Sequence, residues 1–149
     1  MQQKLKNYLK TKGLKSTRQR ELILDVFVKN SSHITPEELH RLVSIHSSEI
    51  GVATVYRTLK LFVQAQIAVE RRFEDNMTRY EPRIEGEHHY HMICTVCGHI
   101  YEFEDLMIEQ RQVDIANQLD MVITSHRLEL YGYCKDKKRC DENKSTQKR

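Results

Sequence analysis

The sequence predicts an α+β fold of two small domains. In the first half, apolar residues recur at helical spacing, and two strand-like runs follow them. Most of the second half consists of strand-like runs, and it contains all the cysteines. Between the halves, the stretch Pro82–Glu87 combines a proline with a glycine, which is typical of a linker. We therefore expect one domain over residues 1–83, a second over 84–140, and a disordered tail over 141–149, which lacks apolar residues.

Three helices are predicted in the first domain. The first begins at a cap formed by Ser16 or Thr17, and its apolar residues recur at helical spacing: Leu22, Ile23, Val26 and Phe27. The second begins with a capping box, in which Thr35 is the N-cap, Pro36 takes the first helical position and Glu38 follows three residues after the cap. The third places one apolar face along residues 52–63: Val52, Val55, Leu59, Phe62 and Val63.

Two short strands follow these helices. They are expected at Val69–Phe73 and Thr78–Glu81, on either side of a turn at Asp75 and Asn76. Three helices followed by a hairpin is the element order of a winged helix-turn-helix. The second domain is predicted as a small α/β module.

The charge distribution favours a polyanionic partner for the first domain. Residues 1–83 hold 15 lysines and arginines against nine aspartates and glutamates, whereas residues 84–149 hold nine against 12. A basic half joined to a slightly acidic half is typical of a protein that binds nucleic acid through one half only. An ordinary, unevenly charged surface is the alternative.

The third helix is the candidate for reading DNA. The side opposite its apolar face carries small and polar residues that let a helix enter the major groove, including Thr54, and an arginine, Arg57, that can grip a guanine edge. Tyr56, on the flank, can contact a thymine methyl or a phosphate. Lys15 can contact the phosphate backbone. The alternative is that Tyr56 packs in the core and Arg57 is merely solvated.

The four cysteines have the spacing of one structural zinc site. Cys94 and Cys97 form a CxxC knuckle, and Cys134 and Cys140 complete a possible four-thiolate shell, which leaves no open position on the metal. The opening stretch MQQKLKNYLKTKGLKSTRQR has no apolar run of signal-peptide or membrane-span length, so we expect a cytoplasmic protein with reduced thiols. A redox CxxC and a disulfide pair are the alternatives.

The histidines beside the knuckle indicate a second metal site. If residues 88–94 form a strand, alternation places His89 and His91 on one face and His88 on the other with Tyr90. Two imidazoles on one strand face can share an ion. His126 has the parity of two nearby leucines, so an inward, hydrogen-bonded core position is its simpler interpretation.

The motifs together resemble the ferric uptake regulator family. The resemblance rests on the following stretches, which run from about Gly13 to Cys140: GLKSTRQR, HITPEELH, EIGVATVYRTLKLF, RYE, HHYHMICTVCGHIYEFED, IEQRQVDIA and SHRLELYGYC. It implies an amino-terminal winged helix on a carboxy-terminal dimerisation domain with structural zinc. It also implies a homodimer, or a further tetramer, that binds a palindromic AT-rich operator in double-stranded DNA and has no membrane association.

The resemblance also implies ligand sets for this chain. The structural zinc falls on the four cysteines, and Lys15, Tyr56 and Arg57 match residues that touch DNA. The regulatory metal site falls on five nitrogen and carboxylate ligands: His33, Glu81, His89, His91 and Glu102. A further family site would use His88, Glu109 and His126 with an aspartate. This chain has Tyr90 at the aspartate position, and a neutral phenol is a poor ligand.

The expected function is metal-dependent repression, with Fe²⁺ regulating iron uptake genes, although Mn²⁺ and other divalent metals suit the same ligands. Peroxide sensing is the alternative within the family, but peroxide-sensing relatives typically carry aspartate at the position of Glu81. A zinc-stabilised adaptor and a metallohydrolase are more distant alternatives. The adaptor leaves the basic half unexplained, and the hydrolase lacks an HExxH or comparable motif, so no enzymatic activity is expected.

Overall fold

The structure is a computed structural model that describes residues 1–30, 33–74, 77–84 and 89–147. The chain divides into two compact units, Met1–Glu85 and Gly86–Arg149. The predicted α+β class, with a winged helix followed by a small α/β module, is confirmed. In chain order the elements are α1 (Gln2–Thr11), α2 (Arg18–Lys29), α3 (Pro36–His46), α4 (Val52–Gln64), β1 (Ala68–Arg72), β2 (Thr78–Pro82), β3 (Tyr90–Cys94), β4 (Ile100–Phe103), α5 (Leu106–Gln118), β5 (Glu129–Gly132) and α6 (Lys137–Gln147).

The amino-terminal unit is built on one apolar core. Helices α2, α3 and α4 bury their periodic apolar residues together, and the rings of Phe27 and Phe62 lie 6.0 Å apart at its centre. Helix α1 is not among the predicted helices, but Leu5 and Leu9, one helical turn apart, are buried in the same core. Leu61 of α4, which lies off the predicted apolar face, is also buried there.

The wing is a two-stranded antiparallel sheet in which Val69 of β1 is paired with Glu81 of β2. Ile34 adds an isolated antiparallel bridge to Tyr80, so the segment before α3 is joined to β2. The predicted turn at Asp75 and Asn76 lies outside the described residues.

The predicted capping box of α3 is confirmed. The Glu38 N–H donates to Thr35 Oγ1 at 3.2 Å, and the Thr35 N–H donates to Glu38 Oε2 at 2.8 Å. Both backbone donors would otherwise lack a helical partner, and Thr35 is buried, so water cannot easily replace the lost bonds.

We expect Thr35→Ala to lower the free energy of unfolding by about 1–2 kcal/mol, because it removes this cap from a buried helix start. Urea denaturation followed by circular dichroism measures the change. Thr17→Ala is the matched control, since Thr17 caps α2 from an exposed position through a longer bond of 3.4 Å and should cost less. An equal loss in both variants would contradict the assignment.

The carboxy-terminal unit has a three-stranded sheet of order β4-β3-β5, with β3 antiparallel to β4 and parallel to β5. Helix α5 provides helical structure of the predicted α/β module, but its apolar residues do not enter a core of this chain. None of its residues is buried, and Leu106 and Met107 are 86% and 82% exposed.

The end of the chain differs from the prediction of a disordered tail over residues 141–149. Helix α6 continues to Gln147, and residues 148–149 lie outside the described ranges. The Asp136 side chain caps the helix by accepting a hydrogen bond from the Lys138 N–H at 2.9 Å, and Cys140 is buried on its first turns. The helix cap and the buried cysteine cannot be inferred from composition alone. Within the described ranges, every helix is too short or too polar to cross a bilayer.

Candidate metal sites and nucleic-acid surface

The four cysteines lie together where β3 and β5 end. Cys94 is the last residue of β3, Cys97 lies in the following turn, Cys134 follows β5, and Cys140 lies in α6. Their Sγ atoms all lie within 4.8 Å of one another, and all four are free thiols. Four convergent thiols, three of them buried, fit a tetrahedral Zn²⁺ with no open position.

Backbone hydrogen bonds shape the knuckle. The Gly98 N–H donates to the Cys94 carbonyl at 2.8 Å, and Gly98 has a φ of +72°, which a residue with a Cβ rarely adopts. The Thr95 N–H donates to the Gly132 carbonyl at 2.8 Å. The knuckle is thus fastened to the end of β5, two residues before Cys134.

The electrostatics of the cluster favour a cation. Burial opposes ionisation of Cys94, but the backbone N–H groups of Val96, Cys97 and Cys134 donate hydrogen bonds to its sulfur and lower its pKa to about 6. At Cys140, burial and the neighbouring thiolates raise the pKa to about 12. A bound cation would relieve that repulsion between sulfurs.

Two residues outside the predicted set complete the surroundings of the cysteines. The Asn143 amide donates to Cys97 Sγ at 3.9 Å and to the Tyr101 hydroxyl at 3.2 Å, and this hydroxyl lies 4.0 Å from Cys134 Sγ. The one available sequence signal was that Asn143 stands three residues after Cys140, which matters only once α6 is known to be a helix. Helix α6 therefore packs on the cysteine cluster.

In the amino-terminal unit, His33 and Glu81 form a buried pair. His33 Nδ1 lies 3.0 Å from Glu81 Oε2, and the two side chains are 3% and 5% exposed. They meet because Ile34, next to His33, is bridged to Tyr80, next to Glu81. Sequence reasoning from the residues alone did not pair them.

Arg71 of β1 is a further member of this pair. Its Nε donates to Glu81 Oε1 at 2.9 Å. Burial raises the pKa of Glu81, but the hydrogen bond and charge of His33 and the charge of Arg71 outweigh it and hold the pKa at about 2. Glu81 is therefore an ionised carboxylate at neutral pH, the state in which it can bind a metal.

In the carboxy-terminal unit, the rings of His89 and His91 lie 5.0 Å apart, which agrees with the predicted shared face. His91 is buried, and its register partners are Glu102 on β4 and Glu129 on β5. Glu102 is exposed. The sheet thus aligns a carboxylate on each side of His91.

Glu129 was not predicted, because its place beside His91 follows only from the parallel register. Its carboxylate accepts a hydrogen bond from the Tyr131 hydroxyl at 2.6 Å and pairs with Arg127. Burial raises the pKa of Glu129, but these two partners lower it overall, so a negative charge stands next to His91.

At the possible further site, Tyr90 occupies the aspartate position and is hydrogen-bonded to Glu109. The buried Tyr90 hydroxyl donates to Glu109 Oε1 at 2.7 Å and accepts from Gln112 Nε2 at 3.0 Å. His126 Nε2 lies 3.6 Å from Glu109 Oε1. His126 lies before β5 as an exposed residue whose side chain is 23% exposed, so the core position predicted from strand parity is wrong. His88 lies outside the described residues.

The outer face of α4 is free of the core. Tyr56 and Arg57 are exposed, and an Arg57 guanidinium nitrogen donates to Thr54 Oγ1 at 3.3 Å. The Tyr56 hydroxyl donates to Glu37 Oε1 of α3 at 2.6 Å, so the ring is positioned across the two helices. Lys15 is exposed in the loop before α2, where its carbonyl accepts from Arg20 at 2.5 Å.

A family model described as the ferric uptake regulator family matches residues 11–131. The chain is 40% identical to the ferric uptake regulation protein of Haemophilus influenzae over 138 residues, which cover 92% of this chain and 94% of that one.

Among solved structures, the chain resembles the Vibrio cholerae ferric uptake regulator with a TM-score of 0.73 and 42% identity, covering 85% of this chain and 96% of that one. It resembles the Helicobacter pylori ferric uptake regulator, described as having three functional metal-binding sites, with a TM-score of 0.84 and 29% identity, covering 93% and 90%. A Campylobacter jejuni peroxide stress regulator is also similar, with a TM-score of 0.65 and 26% identity, covering 87% and 95%.

Proposed function

Because the chain belongs to the ferric uptake regulator family, whose members are metal-dependent regulators, we propose that it is a dimeric Fe²⁺-responsive repressor of iron uptake genes. It acts in the cytoplasm on a palindromic, AT-rich operator. The observation that best supports this proposal is the separation of ligand types. All four cysteines belong to one cluster, and the remaining candidate ligands are histidines and carboxylates.

The donor set supports a regulatory ion such as Fe²⁺, with Mn²⁺ as a close substitute. Imidazole and carboxylate ligands suit these ions, whereas thiolates select zinc and copper. The four cysteines hold the structural Zn²⁺. The regulatory ion is ligated by His33 and Glu81 from the amino-terminal unit and by His89, His91 and Glu102 from the other.

Regulation follows from this division of ligands. An ion that binds ligands of both units restricts their relative orientation, and in a two-fold dimer this sets the spacing of the two α4 helices for an operator of the same symmetry. The ion need only bind the DNA-competent form better than the others. A hundredfold preference is about 2.7 kcal/mol per site, so two sites per dimer shift the equilibrium by about 5.5 kcal/mol.

The exposed apolar surface of the carboxy-terminal unit supports dimerisation. Leu106 and Met107 at the start of α5, and Met121 and Val122 just after it, are 65% to 86% exposed. Several large apolar side chains exposed on one unit are costly in water and are typical of an interface. A second copy of the same face covers it in the proposed dimer.

Operator binding should depend on Arg57 more than on total charge. We expect Arg57→Ala to weaken operator binding by about 10- to 100-fold, because a bidentate contact to guanine contributes about 1–3 kcal/mol. Arg41→Ala removes one exposed positive charge from the same unit and is the matched control. Fluorescence anisotropy on operator DNA measures both, and equal losses would contradict base reading by Arg57.

Anaerobic DNA binding tests the function directly. Zinc-loaded protein is titrated with Fe²⁺, Mn²⁺ and Zn²⁺ separately on fragments of iron- and peroxide-response promoters, then exposed to peroxide. Binding that requires Fe²⁺ or Mn²⁺ and survives brief peroxide supports the proposal. Loss of binding on peroxide in the Fe²⁺ form alone would make the chain a peroxide sensor, and no metal-dependent binding would refute repression.

A further inference from the structure

Tyr90 lies at the centre of a polar cluster that has no part in the regulation proposed above. Its side chain enters the carboxy-terminal unit from β3 and is 2% exposed. The hydroxyl bridges Glu109 and Gln112, which lie one helical turn apart on α5. The ring lies between Phe103, at 5.5 Å, and His126, at 5.7 Å.

The chemistry of this cluster is that of a hydrogen-bond link rather than a metal shell. A phenol is neutral at pH 7, and the Tyr90 hydroxyl donates its proton to Glu109 while it accepts a hydrogen bond from Gln112. Glu109 directs an oxygen at that donor, 2.7 Å away, and the same oxygen lies 3.6 Å from His126 Nε2. A divalent ion among these groups would have to displace the phenol proton or the ring.

We propose that the Tyr90 hydroxyl takes the place of a metal ion between Glu109 and His126, so that this cluster is a metal-free link fastening α5 to β3. The similar Helicobacter pylori regulator is described as having three functional metal-binding sites. This chain then holds two ions per protomer, the structural zinc and the regulatory ion. The inference does not depend on which metal or signal the regulatory site uses.

The link also positions the exposed apolar residues of α5. The helix that carries them is held by Tyr90 through neutral and ionic hydrogen bonds, so its position needs no ion at this cluster. If the exposed apolar face of α5 is the dimer interface proposed above, dimerisation does not require a metal ion at the Tyr90 cluster.

The test is a count of bound Co²⁺ on the zinc-loaded full chain, by equilibrium dialysis and visible absorption. Tyr90→Asp should bind one more Co²⁺ per protomer than the wild type, and the additional Glu109→Ala change should abolish that gain. Tyr90→Phe should bind the same number as the wild type but melt at a lower temperature, because Glu109 and Gln112 lose their partner.

A single substitution in the wild-type chain tests the proposal independently. Glu109→Gln in the wild type should leave the Co²⁺ count unchanged, and a fall of one ion per protomer would overturn the proposal. No gain in folded Tyr90→Asp would also overturn it. If that variant does not fold, the Glu109→Gln count decides alone. Because each result is a difference between variants, it can be interpreted even if the regulatory site binds no ion.

Discussion

Cys97→Ser is expected to release the structural zinc and unfold most of the carboxy-terminal unit while the amino-terminal unit stays folded. The reason is the composition of the two cores. The buried cluster of the carboxy-terminal unit consists of the cysteines themselves, whereas the amino-terminal unit buries a continuous set of apolar residues that includes Phe27 and Phe62. Structural zinc contributes about 10–16 kcal/mol in small zinc domains, which equals or exceeds the stability of an ordinary domain, about 5–15 kcal/mol.

Zinc content and amide hydrogen exchange measure this effect residue by residue. Protection should be lost in β3, β5 and α6 and retained in α2 to α4. Val96→Ser is the matched control, because it places a serine in the same knuckle at a side chain that is 53% exposed and removes no thiolate. A Cys97→Ser protein that keeps one zinc per protomer and a protected second unit would refute the four-thiolate site.

His89→Ala is expected to abolish metal-dependent operator binding and leave zinc content and fold intact. His89 is less buried than His91, so removing its ring leaves less of a void. If the ion prefers the DNA-competent form about a hundredfold at each of two sites, losing it costs the dimer about 5.5 kcal/mol of coupling. Operator affinity with saturating Mn²⁺ should therefore fall to the metal-free level.

Anisotropy titrations with and without Mn²⁺ measure that coupling, and size-exclusion chromatography reports the dimer. His46→Ala is the control, since His46 is exposed at the end of α3 and no metal role is assigned to it. Loss of zinc or of the dimer in His89→Ala would contradict the separation of the sensing and structural sites. An unchanged response to Mn²⁺ would remove His89 from the ligand set.

Much of the fold could be predicted because its signals are local. The capping box at Thr35, the apolar face of α4 and the CxxC turn each involve residues within about four positions of one another, where helical and turn geometry are fixed by the chain itself. The same locality explains the errors. Helix α1 has only a short apolar pattern. Helix α6 has no apolar pattern, because contacts of Asp136, Cys140 and Asn143 hold it in place instead.

By itself the sequence determined the order of α2 to α4 and the two wing strands, the types of candidate ligand, and the shared face of His89 and His91, since alternation along a strand needs no partner. Only the tertiary structure decided that Arg71 joins Glu81, that Glu129 stands beside His91 and that Tyr90 binds Glu109. These contacts depend on sheet register or on the packing of a helix against a strand. A slip of one residue would turn each strand side chain to the opposite face, and nothing in the neighbouring sequence fixes that register.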